Sequence, residues 1–144
     1  MKRHPRTLPP SALAAVLALG LAAAPAAAQA PGMPATPGFE SKPVLTTAVT
    51  GDDTKEIVMI AVSIAPGGYS PVHVHPGDCV GTVVEGTVDL VVAGGEARKV
   101  ASGATFANPR GTVHQFRNSG DGPVRMVTTI VVDKGKPRTQ PPPQ

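Results

Sequence analysis

Residues 66–86 read PGGYSPVHVHPGDCVGTVVEG, and this stretch carries both the fold class and the chemistry. Two turn signals, Pro66-Gly67-Gly68 and Pro76-Gly77-Asp78, bracket a short extended segment, Val72–His75. A β-branched run, Val80–Glu85, follows and ends on the Glu85-Gly86 turn pair. On a strand, residues two apart face the same side, so His73 and His75 turn both imidazoles one way and Val74 the other. Two same-face imidazoles are how a β-scaffold offers a metal ion a pair of nitrogen donors. Such a pair alone is weak evidence, because it also arises on ordinary surfaces.

The same punctuated pattern extends in both directions. Val44–Thr50 and Lys55–Ala65 precede it; Thr87–Ala93, Val113–Asn118 and Val124–Asp133 follow, with shorter candidates at Ala97–Val100 and Thr105–Asn108. Val, Ile and Thr dominate these runs and suit pleated surfaces. Gly94-Gly95, Ser102-Gly103, Pro109-Arg110-Gly111 and Gly120-Asp121-Gly122 separate them. The composition agrees, with 16 Gly and 17 Pro against 3 Phe, 1 Tyr and no Trp in 144 residues. No amphipathic helix and no internal repeat is evident in this part of the chain. The pattern predicts an all-β domain, a sandwich or small barrel of the jelly-roll type.

The ends read differently. Lys2, Arg3 and Arg6 precede an apolar stretch from Ser11 to Ala24, and Ala26-Ala27-Ala28 then supplies the small residues of a cleavage site. Residues 1–28 are therefore expected to be a secretory signal, too short in its apolar part for a membrane span of roughly 20 residues. Its removal leaves a soluble periplasmic or secreted domain with no stable membrane anchor. The pI near 9.4 is thus misleading. Without the signal's three cations, ten Lys and Arg face ten Asp and Glu, so a nucleic-acid partner has no support. Pro31, Pro34, Pro37 and Pro43 mark residues 29–43 as a linker, and Pro137 and Pro141–Pro143 mark residues 134–144 as a tail. Residues 44–133 remain as the domain.

Every histidine of that mature chain, His73, His75 and His114, falls in or beside a strand, and Cys79 is the only cysteine. An internal disulfide is excluded. The spacing Gly67, five residues, His73-Val74-His75, three residues, Cys79, six residues, Gly86 has the shape of the first cupin motif. Gly103, five residues, Pro109, one residue, Gly111, two residues, His114, three residues, Asn118 matches the second. The domain resembles a single-domain cupin over residues 44–133, and the resemblance implies a cupin-type jelly-roll β-barrel with one divalent transition metal inside. It implies His73, His75 and His114 as ligands, and pairing of two copies into a homodimer.

The resemblance breaks at Cys79, where the family usually places a Glu ligand. As a fourth ligand its sulfur would shift preference from manganese or magnesium toward iron, copper or zinc; for the site as a whole, manganese and nickel stay as alternatives. As a near neighbour it would leave a three-histidine site with open positions, similar to the thiol dioxygenase branch of cupins. In some of those proteins the Cys is cross-linked to a Tyr, but Tyr69, the only Tyr here, precedes the first motif. Alternation turns Asp78 away from the site. Glu85 reads as a hairpin residue, Asn118 as a turn cap, and Phe116 as core or cavity wall. Arg110 and Arg117 are candidates to meet an anionic ligand, though surface solubility explains them as well. Two functions follow. One is a metal-dependent enzyme, dioxygenase-like or isomerase-like, acting on a small molecule; the other is a non-catalytic module that binds a metal or small ligand.

Overall fold

The structure, a computed structural model, describes residue 33 and residues 35–144. The proposed signal at residues 1–28 lies outside them. Eight strands form: β1 (Phe39–Val49), β2 (Asp52–Ile64), β3 (Asp78–Glu85), β4 (Thr87–Val92), β5 (Arg98–Ala101), β6 (Thr105–Asn108), β7 (His114–Arg117) and β8 (Val124–Asp133). They make a five-stranded sheet in the order β1-β2-β8-β3-β6 and a three-stranded sheet in the order β5-β4-β7. The backbone ladder is not continuous around the two sheets. They enclose one core, and the all-β jelly roll expected from the turn pattern is what forms.

Alternation along the strands builds that core. In β2, Val58, Ile60, Val62 and Ile64 are buried; in β8, Val124, Met126, Ile130 and Val132 are buried at the same parity. These side chains meet Val88 and Leu90 of β4, Val100 of β5 and Phe116 of β7 across the gap between the sheets. A hairpin residue in the left-handed region joins β3 to β4, where Gly86 sits at φ 80°. Gly77 answers a different demand. A Cβ there would lie 1.7 Å from the Val131 carbonyl oxygen, so only glycine lets the turn after His75 press against β8.

Two boundaries differ from the sequence expectation, and both differences matter. The segment 29–43 was expected to be linker throughout, yet β1 begins at Phe39 and pairs with β2 from Phe39↔Ile64 onward. Pro43 misleads because β1 is an edge strand with a register shift between Pro43 and Leu45, where a missing N–H is tolerated. The segment 134–144 was expected to be a free tail. Instead Gln140 and Val74 exchange both backbone hydrogen bonds at 3.0 Å. Between Pro137 and Pro141 stand three residues with intact N–H groups, enough for an extended strap to dock. The His73–His75 segment is correspondingly not a long strand. It is held by two single bridges, His73 to His114 and Val74 to Gln140.

Candidate metal centre

The three histidines converge because of those bridges. His73 N donates to His114 O at 3.0 Å and His114 N donates to His73 O at 2.9 Å, which places the two side chains opposite each other on one face. His75, two residues on, shares that face. The ring centroids lie 4.8 Å (His73–His75), 4.2 Å (His73–His114) and 5.1 Å (His75–His114) apart. One ligating nitrogen from each ring lies within 4.8 Å of the others. All three residues are buried.

The hydrogen bonds say which nitrogen is offered. His73 Nδ1 is 2.8 Å from the Pro71 carbonyl oxygen, His75 Nδ1 is 2.7 Å from that of Arg138, and His114 Nδ1 is 2.9 Å from that of Thr112. A carbonyl oxygen only accepts, so each Nδ1 carries the proton and donates it. Each Nε2 of a neutral ring is then a bare lone pair. This is the arrangement in which outer partners fix tautomer and ring orientation for metal binding. His114 Nε2 is buried with no hydrogen-bond partner among the described residues. A buried acceptor left so costs free energy unless something binds it, and a metal ion is the partner that suits a nitrogen lone pair. The donor set fits a transition ion.

Electrostatics agrees. Burial, reinforced by the neighbouring imidazoles of His114 and His75, holds His73 down to about 3. Burial first, then the charges of His114 and Arg138, holds His75 down to about 4, against the raising effect of its bond to the Arg138 carbonyl. His114 is lowered by burial as well. The cluster is therefore neutral at pH 7 and free of protons that a metal would have to displace.

Cys79 lines the same cavity but stands outside the cluster of three imidazoles. It is 1% exposed and packs in the core, and burial pushes its thiol up to about 12. Tyr69 is 45% exposed and bridges to Arg117, and it does not line the cavity. Asp78 is exposed, its Oδ1 accepting from Arg110 N at 2.9 Å. Phe116 does both jobs considered for it. It belongs to the core cluster, walls the cavity and stands edge-on to His114 at 5.5 Å.

The remaining candidates are structural. Glu85 pairs with Arg125 at 3.0 Å on the surface. Asn118 is buried and ties three segments together, with Nδ2 donating to Ile64 O at 2.9 Å and Gly122 O at 2.8 Å, and Oδ1 accepting from Gly120 N at 3.1 Å. Arg117 donates through Nε to Gln115 Oε1 at 2.7 Å, and neither it nor Arg110 lines the cavity.

The cavity, about 70 Å³, has room for several water molecules or a small organic one. Its walls include residues that the sequence reading assigned to linker and tail: Met33, Phe39 and Ser41 on one side, Arg138 and Thr139 on the other. Thr128 of β8 also lines it, the one hydroxyl on an otherwise apolar buried stripe. That break in the stripe was visible in the sequence; nothing there marked Arg138.

A family model described as the cupin domain matches residues 60–132, half of the chain, and the chain belongs to that family. Among curated proteins it is similar to a germin-like protein, subfamily T member 3, of Arabidopsis thaliana, at 32% identity over 67% of this chain and 44% of that protein. It is also similar to a cupin-domain-containing oxidoreductase of Neurospora crassa, at 39% identity over 49% of this chain and 36% of that protein. The chain spans less than half the length of these curated relatives. Among solved structures, an oxalate oxidase in complex with the substrate analogue glycolate superposes with a TM-score of 0.59, at 27% identity over 72% of this chain and 54% of that one. The polyketide cyclase RemF from Streptomyces resistomycificus shares the fold, with a TM-score of 0.61 and 22% identity over 76% of this chain and 75% of that one.

Proposed function

We propose that this chain is an exported, metal-dependent cupin enzyme that holds one transition-metal ion through Nε2 of His73, His75 and His114 and acts on a small molecule in the adjoining cavity. One observation carries the reading. All three Nδ1 atoms are committed to backbone carbonyls, which leaves three bare Nε2 atoms, one of them buried without a partner. When bound, such an ion supplies Lewis-acid polarisation or a redox centre. The chain's own contribution is to fix the donors, keep them unprotonated and wall the ligand off with Phe116, Ile60 and Val62.

Cys79 serves in this reading as a neutral neighbour of the metal. Its apolar burial and its place outside the imidazole cluster support that role, and it leaves a coordination position for the ligand. The similarity to an oxidoreductase and to an oxalate oxidase favours redox chemistry. Iron, copper, zinc and nickel all suit three imidazoles. Export rests on residues 1–28, and pairing of two copies on the family resemblance. Elemental analysis of the native protein tests the proposal.

A further inference from the structure

Arg138 lies in the strap that the C-terminal residues lay across the cavity, and its two halves do different things. Its carbonyl oxygen orients His75. The residue lines the cavity, and its side chain is partly desolvated and bears on His75 with its positive charge. The guanidinium makes no ion pair or hydrogen bond among the described residues. Among the described residues no Asp or Glu lines the cavity to neutralise it, and its walls are mainly apolar, with Phe39, Ile60, Val62 and Phe116 beside the hydroxyls of Ser41, Thr128 and Thr139.

A guanidinium partly drawn out of water with no counter-ion is left unsatisfied, and its planar fork matches a carboxylate through two parallel hydrogen bonds. Apolar walls disfavour a ligand charged along its whole length. We propose that Arg138 is the recognition residue for a small monocarboxylate with a short apolar body, seated between the strap and the imidazole cluster. The ligand's carboxylate meets the guanidinium, and its carbon chain lies against Phe39 and Phe116. This names the substrate class of the metal site proposed above and rests on that reading. Arg110 and Arg117, nearer the second motif in sequence, do not reach the cavity and take no part.

The test uses butyrate and its neutral isostere butyramide as probes, titrated calorimetrically into wild type, Arg138→Met and Arg138→Lys. Each protein is run metal-loaded and metal-free, with metal content measured in parallel. The expected result is at least tenfold tighter binding of butyrate than of butyramide by wild type. Arg138→Met removes that preference and Arg138→Lys keeps part of it. Metal content stays unchanged in both variants, because the carbonyl that orients His75 remains. Equal binding of the two probes by wild type, no binding of either, or a preference that survives in Arg138→Met overturns the assignment. A protein that never takes up metal yet shows the Arg138-dependent preference removes the metal reading and leaves this one standing. A metal-loaded protein without the preference does the reverse.

Discussion

His73 and His114 are partners in backbone before they are partners in chemistry. Each donates its N–H to the other's carbonyl, and this exchange sets their rings 4.2 Å apart. His75 joins them because its segment is held on both sides, by Gly111 N donating to His75 O at 2.9 Å and by the pairing of Val74 with Gln140. The centre is thus a small cross-linked patch rather than a face of one long strand.

The strap is therefore part of the centre. A chain ending at Lys136 loses the Arg138 carbonyl that fixes His75 and both hydrogen bonds between Gln140 and Val74. Loss of an outer partner of a ligating histidine weakens metal affinity by about 10- to 100-fold. Competition with a chelator of known affinity measures this, and an unchanged affinity would show the strap to be incidental.

Acid destabilises the metal-free protein. His73 and His75 titrate near 3 and 4 in the fold, against about 6.5 in the unfolded chain. Between those values the unfolded chain binds protons that the folded one refuses, so falling pH favours unfolding. Stability is fully present above pH 6.5 and declines as the pH drops toward 4, by about 3 kcal/mol for each of the two histidines. Urea unfolding of the chelated protein from pH 7 to pH 4.5 measures the decline; a flat profile would mean the rings are not buried and neutral as described.

Asn118 separates stability from function. It ends the second motif, yet its amide serves Ile64 and Gly122 carbonyls and not the cavity. Asn118→Ala strands the buried Ile64 carbonyl, while that of exposed Gly122 turns to water, and costs about 1–3 kcal/mol of unfolding free energy. Metal content per folded chain stays as in wild type. A folded variant that had lost its metal would place Asn118 in the site after all.

These predictions divide along a line that also divides what the sequence disclosed. The strands of the core were legible because their burial alternates; β8 is bounded by the same residues, Val124 and Asp133, in pattern and in structure. The His73, Val74, His75 triplet was legible because period two needs no tertiary information. Phe39, Arg138 and Gln140 were not. Proline marks a segment as unable to form helix or central strand, and says nothing against an edge strand or a strap that pairs through one residue. The role of Arg138 depends on a contact across 63 residues of chain, and the Nδ1 partner of His75 is a backbone carbonyl, which carries no side-chain signature.

Metal content decides the central claim. Mature protein, exported natively and purified without chelator or affinity tag, is analysed by elemental mass spectrometry beside His75→Ala and Cys79→Ser. The account predicts about one transition-metal ion per chain in wild type and in Cys79→Ser, and none in His75→Ala. Metal lost with the sulfur would make Cys79 the fourth ligand and favour a closed binding module. Stoichiometric metal in His75→Ala, or none in wild type after metal is added back, would contradict the three-histidine centre itself.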